Sequence, residues 1–228
     1  MNGWQKLWTW LTDPVHWSGP AGIPARVGEH LGYAGITLLI AMAIAIPLGL
    51  WVGHTGRGMG VVLGFTGGMR ALPTLGLLTA LALVFGLGLA APLIALVILA
   101  IPPLLAPTAS GLRAINRRTI EASRAIGMSS RQILLGVELP LAIPPIMGGI
   151  RSAAIQVIAT WTVAAFLPLG GLGRYLIDGL AVRDYPQMLG GSVVVIILVL
   201  IVDMLLAGLT RLVTPTGVRV SRTRRDPS

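Results

Sequence analysis

Glu121 to Pro140 reads EASRAIGMSSRQILLGVELP, a polar, arginine-bearing island in an apolar chain. The interval from Arg113 to Gly136 carries six charged residues and no long apolar run, so it belongs outside any hydrocarbon layer. Its N-terminal neighbour is the opposite. Between Arg70 and Arg113 lie 42 residues without one Asp, Glu, Lys, Arg or His, whereas a single membrane-crossing helix needs only about 20. That gap holds two spans. The chain is 54% hydrophobic and 11% charged, with a mean hydropathy of +0.83, against about 25% charged residues in an ordinary soluble domain. This composition argues against a soluble fold.

The pattern predicts an all-α membrane protein with about five transmembrane helices: about Leu31 to Gly53, Leu72 to Gly88, Pro92 to Leu112, Leu139 to Phe166 and Gln187 to Leu209. Pro47 is expected to kink the first. Pro102, Pro103 and Pro107 deny the third a straight hydrogen-bond ladder, because proline has no N–H to donate. The Gly-rich stretch from Met59 to Met69 is expected at the interface or in a bent helix. Residues 1–29 form a Trp-rich N-terminal segment, 30–212 the membrane domain with its polar region at about 113–138, and 213–228 a basic tail. Trp4, Leu7, Trp8 and Leu11 share one helical face, which suits a helix lying at the headgroup layer of membrane lipid. No unbroken apolar core followed by a small-residue cleavage site is seen there, so the segment is expected to be retained.

Five spans put the two ends on opposite sides, and positive charge chooses which is which. Twelve cations fall on one side, Arg57, Arg70, Arg113, Arg117, Arg118, Arg124, Arg131, Arg211, Arg219, Arg222, Arg224 and Arg225. Lys6, Arg26, Arg174 and Arg183 make four on the other. The N-terminus is therefore expected outside, and the Glu121 segment and the C-terminus in the cytoplasm. The net charge of +9 resides in these short loops, which argues against nucleic acid as a partner. With no cysteine, disulfides and Cys-ligated metal are excluded. His16, His30 and His54 are scattered and lack the close spacing of a metal site or proton relay. No metal is expected.

On a helix, Glu121, Ala122, Ala125 and Met128 share one face, and Gly127 breaks the helix or permits close approach. A short helix, a glycine and a second short helix ending at Leu139 and Pro140 would project from the membrane as a knob. The spacing of Glu121-Ala122-Ser123, three residues, Gly127, nine residues, Val137, Glu138, Leu139 and Pro140 resembles the EAA motif of ABC importer permeases, with Ser123 in place of an Ala and Val137 in place of an Ile. MRALPTLGLL from Met69, IPPLLAPTASGLRAI from Ile101, the stretch from Pro140 to Phe166 and GGLGRYLIDGL from Gly170 are similar to permeases of the osmoprotectant group, which move glycine betaine, choline, carnitine or proline betaine. FLPL from Phe166 to Leu169 departs from that group's usual small residues.

The resemblance implies a type I ABC importer permease fold in the bacterial inner membrane. It implies pairing with a second permease copy or a paralogue, two cytoplasmic ATPase subunits and a separate extracytoplasmic substrate-binding protein. The chain contains no GxxxxGKS or GxxxxGKT phosphate loop, so ATP and Mg are expected on the partner ATPase, with no cofactor on this chain and no enzymatic activity of its own. Glu121, Ala122, Ser123, Gly127, Leu139 and Pro140 are then the ATPase-coupling residues. Glu121 has an alternative role as a helix cap, where a carboxylate suits the N-terminal end.

Arg151 is the one cation inside a span, and Asp203 is its counterpart by depth. At ~1.5 Å per residue, the two lie ~16 Å and ~12 Å from the cytoplasmic boundary. A structural ion pair is expected over a substrate contact, and charge reversal at both positions should restore a function lost in each single variant; absence of rescue would count against the pair. Trp161 and Phe166 are candidate path-lining residues, with packing as the alternative. Gly170, Gly171 and Gly173 are expected to form a tight turn at the outer mouth. Competing readings are an importer of another small, amino-acid-like solute, or an autonomous secondary transporter or channel, which leaves the spaced polar knob unexplained. A membrane-embedded enzyme lacks a cluster of His, Asp or Ser at one depth.

Overall fold

The structure, a computed structural model, describes residues 2–69 and 71–215. Arg70 and the tail cations Arg219, Arg222, Arg224 and Arg225 lie outside the described residues. Within them the chain is helical throughout: α1 (Gly3–Thr12), α2 (Ile23–Thr55), α3 (Met59–Met69), α4 (Thr74–Phe85), α5 (Ala90–Arg113), α6 (Arg117–Ala125), α7 (Ser130–Ile133), α8 (Leu139–Ala164), α9 (Gly173–Val182) and α10 (Tyr185–Val213). A 3-10 turn, Pro14–Trp17, follows α1, and a π-turn, Leu134–Glu138, joins α7 to α8.

Four stretches are long and apolar enough to cross a membrane: α2, α5, α10 and the continuous run Ser130–Ala164 that contains α8. The second expected span is different. Helix α4 has 12 residues, about 18 Å at 1.5 Å each, too short alone for a hydrocarbon core of about 30 Å. It follows α3 with a 90° bend, and the pair completes a fifth span only if the two are taken together. The reason is in the residues between: Pro73 starts α4 without an N–H to give, so the ladder restarts there. Helix α2 also starts at Ile23, ahead of Leu31, so residue 29 falls inside it.

The chain divides into two compact units, each assembled from distant segments. The first comprises residues 1–40, 71–100 and 154–203. In it, the Leu99 carbonyl has no helical donor because residue 103 of the chain is proline, and Gln156 of α8 supplies a replacement through Nε2 at 3.1 Å. Trp10 of α1 lies flat against Gly190 of α10, where a Cβ would enter its ring, and stacks on His16 at 4.3 Å. That contact selects the buried face of α1 as Leu7 and Trp10, while Trp4 and Trp8 stay 80% and 70% exposed.

Among the described residues, the second unit comprises 41–69, 101–153 and 204–215. Gly49 and Gly53 sit one turn apart on α2, and a Cβ on either would stand 2.7 Å from the Cβ of Thr108 or Leu112 on α5. Small residues so spaced let helix backbones meet without a hydrophobic driving force. Gly149 of α8 approaches the Pro103 carbonyl in the same way, so closely that a Cβ on it would stand 2.8 Å from the oxygen, and that carbonyl has no helical donor because residue 107 is proline. Leu112, Ala142 and Ile146 form the local core, with Ile46, Leu50, Leu134, Leu139 and Ile150 packed on it.

Candidate functional site

The knob lies within the second unit. Helix α6 starts four residues before Glu121, because Asn116 accepts from the Arg118 N–H at 2.9 Å and caps it. The alternative role of Glu121 as a helix cap is therefore corrected. Glu121 sits one turn inside the helix, takes a 2.8 Å bond from Arg117 Nε and keeps its carboxylate more than half exposed. Ser123 is the buried residue of α6, its hydroxyl donating to the Thr119 carbonyl at 2.9 Å. Ala122, Ala125 and Ile126 stay outside, Ile126 at 80% exposure.

Gly127 ends the helix at φ +86°. Its N–H donates to the Arg124 carbonyl at 2.9 Å and the Met128 N–H to that of Ser123 at 3.1 Å, the paired bonds of a Schellman turn. Nothing crowds a Cβ at Gly127, so backbone conformation, not space, demands glycine there. Two residues on, Ser129 and Gln132 form a reciprocal capping box that starts α7. The knob is thus two capped helices around one left-handed residue.

What holds the knob is a histidine. His54, in the last turn of α2, directs Nδ1 at the Glu138 carboxylate in the π-turn and bonds Ser130 at the start of α7 through Nε2 at 2.6 Å. A carboxylate only accepts, so Nδ1–H donates to Glu138, while at Nε2 the Ser130 hydroxyl can either give or take the hydrogen. Glu138 is 6% exposed. Beside this contact a cleft of about 330 Å³ opens, lined among others by Thr55, Arg113, Arg117, Ile120, Glu121 and Arg124. Leu139 and Pro140, both half-buried, begin α8 directly after the π-turn.

In the first unit, Gly170, Gly171 and Gly173 form a turn on the start of α2. The Gly171 N–H donates to Glu29 at 2.8 Å and the Leu172 N–H to His30 Nδ1 at 3.3 Å, and His30 Nε2–H donates to the Ile158 carbonyl at 2.9 Å. With Nδ1 accepting, His30 is held as one neutral tautomer. Gly171 has φ +89°. A Cβ on Gly173 would lie 2.7 Å from Ala165 Cβ and 2.8 Å from Thr162 Cα. Tyr175 donates to the Ala21 carbonyl at 2.6 Å, and burial pushes its ionisation up, so it remains a donor.

Trp161 is buried, donates to the Thr37 hydroxyl at 2.9 Å and stacks on Tyr33 at 5.0 Å between centroids. Phe166 is more than half exposed. Arg151 on α8 and Asp203 on α10 are each half-buried, and each interacts with other groups of the protein. Among the described residues no group of three His, Cys, Asp or Glu could hold a metal.

Sequence reasoning passed over Glu29, and it weighed His30, His54 and Glu138 only as metal, relay or motif residues, not as partners in packing. Their signal was position: each stands at the end of an apolar run, where a polar side chain can meet a loop. Spacing along the chain could not reveal partners 84 or 142 residues away.

A family model described as "Binding-protein-dependent transport system inner membrane component" matches residues 45–216. The glycine betaine/carnitine/choline transport system permease protein OpuCB of Bacillus subtilis is 36% identical over 194 residues, covering 85% of this chain and 89% of the relative. The choline transport system permease protein OpuBB of the same organism is 34% identical over 84% of this chain and 88% of that protein. The glycine betaine/proline betaine transport system permease protein ProW of Escherichia coli is 31% identical over 82% of this chain and 53% of its own length. Among solved structures, an inward-facing MetNI methionine ABC transporter chain superimposes with a TM-score of 0.74 at 24% identity, covering 85% of this chain and 96% of its own. That likeness concerns the fold.

Proposed function

Because the chain belongs to the binding-protein-dependent transport system inner membrane component family, we propose that it carries a small osmoprotectant such as glycine betaine, choline or carnitine through the inner membrane. The observation that carries the reading is a capped, polar knob bound to the end of a spanning helix in a chain with no phosphate loop. Such a chain needs a partner to handle ATP, and the knob, about residues 113–138, is the surface for it. Two ATPase subunits holding ATP and Mg, a second permease copy or paralogue and an extracytoplasmic binding protein complete the machine. ATP-driven closure of the ATPases would shift the helices between inward- and outward-facing states. Glu121, Ala122, Gly127 and the neighbouring Ile126 form the docking face, with Ser123, Leu139 and Pro140 placing it.

The excess of arginine on the knob side supports a cytoplasmic knob and C-terminus and an external N-terminus. Aromatic faces are the usual hold on a quaternary ammonium, yet the Trp161 ring is already covered by Tyr33. Selection therefore belongs mainly to the binding protein, and the permease offers a weak, transient site. The test is uptake of labelled glycine betaine into proteoliposomes. Accumulation should require the ATPase, ATP and the binding protein together, and uptake without any ATPase would sink the importer reading.

Helix α1 is assigned to the outer lipid headgroup layer, anchored by Trp10 and presenting Trp4 and Trp8. In variants retaining only Trp4, Trp8 and the anchoring Trp10, headgroup-proximal brominated lipid should quench fluorescence about twofold more than deeply brominated lipid. Equal or absent quenching would place α1 away from the interface.

A further inference from the structure

We infer that His54 and Glu138 form a clamp that makes α2 follow the knob when the knob is displaced. This rests on the reading of the knob as the ATPase-docking element. One imidazole joins the end of α2 to both ends of the segment 130–138, through Ser130 on one nitrogen and Glu138 on the other. The Glu138 carboxylate is buried, a position tolerated only with a partner, and removing either member leaves the other unsatisfied.

The π-turn has a part in this. Its extra residue rotates the downstream helix by about 100° relative to an uninterrupted α-helix, and Glu138 is its last residue. The turn thus sets the phase that aims the carboxylate at His54 while α8 keeps Leu139, Ala142 and Ile146 on the core side.

The cleft explains why the contact is a discrete link. Gly53 and Thr55 of α2 and Leu112 of α5 line one side, Ile120 and Arg124 of α6 another. That space lies between this part of α6 and the span ends. A push on the knob therefore reaches α2 through this polar contact, beside the apolar core that Leu134 shares with Ile46 and Leu50. His54 and Glu138 are positioning residues for transport, touching neither solute nor ATP.

The test compares the wild type with His54→Leu, Glu138→Leu and the double variant in proteoliposomes with ATPase and binding protein, measuring solute imported per ATP hydrolysed. Each single variant should retain its ATPase on purification and hydrolyse ATP within about twofold of wild type, while solute per ATP falls about tenfold. The double variant should fall no further, because one interaction is removed only once. Losses that multiply in the double variant, uptake and hydrolysis falling in equal proportion, unchanged stoichiometry, or failure of the single variants to accumulate would each overturn the clamp while leaving docking intact. A wild-type chain that retains no ATPase would overturn both readings.

Discussion

Gly127→Val permease is expected to reach the membrane in normal amount and to lose about thirtyfold in ATP-driven uptake. The residue adopts φ +86°, where an L side chain costs about 1–2 kcal/mol and a β-branched one is worse placed still. At about 1.4 kcal/mol per tenfold, a strain of about 2 kcal/mol displaced onto the docking geometry gives that loss. The strain is local, since no atom crowds a Cβ there, so the spanning helices should assemble unaffected. Gly127→Asn is the discriminating control, because Asn tolerates the left-handed region and should keep most of the activity. ATPase co-purification and uptake in proteoliposomes read the result. Equal activity of the Val and Asn variants with wild type would show that the turn does not position the knob.

Gly173→Val should do its damage before transport begins. The added Cβ meets Thr162 backbone and the Ala165 side chain, and backbone cannot swing aside as a flexible side chain can. Overpacking of this kind costs about 3 kcal/mol, equivalent to an apparent Tm lower by about 6–12 °C for a chain of this size. Gly170→Ala should be milder, because its clash is with the mobile carboxylate end of Glu29, and the loss is the Glu29 bond to the Gly171 N–H. Thermal aggregation of detergent-solubilised protein would rank the two. Gly148→Ala, which meets nothing within 4 Å, should match wild type.

Both variants probe places where the residue type was legible and its cause was not. Gly127 was readable as a helix break because a lone glycine between two polar helical stretches has few other uses. Gly173 was readable only as a turn residue, since the obstacles to its Cβ lie on a different helix. Glu121 shows the same division. Its polarity marks the knob, but the true helix start is hidden in the sequence because Asn116, a stronger cap, stands before two arginines that mask the boundary. The bent pair α3 and α4 was half-legible: glycines and Pro73 signalled irregularity, while the 90° turn was beyond what periodicity can express.

By itself the sequence determined that this is a helical membrane protein with a polar knob between spans. Long uncharged stretches admit no other backbone solution in lipid, and the knob's spacing is a property of the chain alone. Tertiary structure decided how the pieces are held. Gln156 answers the carbonyl freed by Pro103, Glu29 and His30 hold the glycine turn, and His54 meets Glu138. Each joins groups far apart in sequence, made necessary because a polar atom left without a partner away from water is costly. The composition announces that such atoms must be satisfied, and only the packed helices decide by whom.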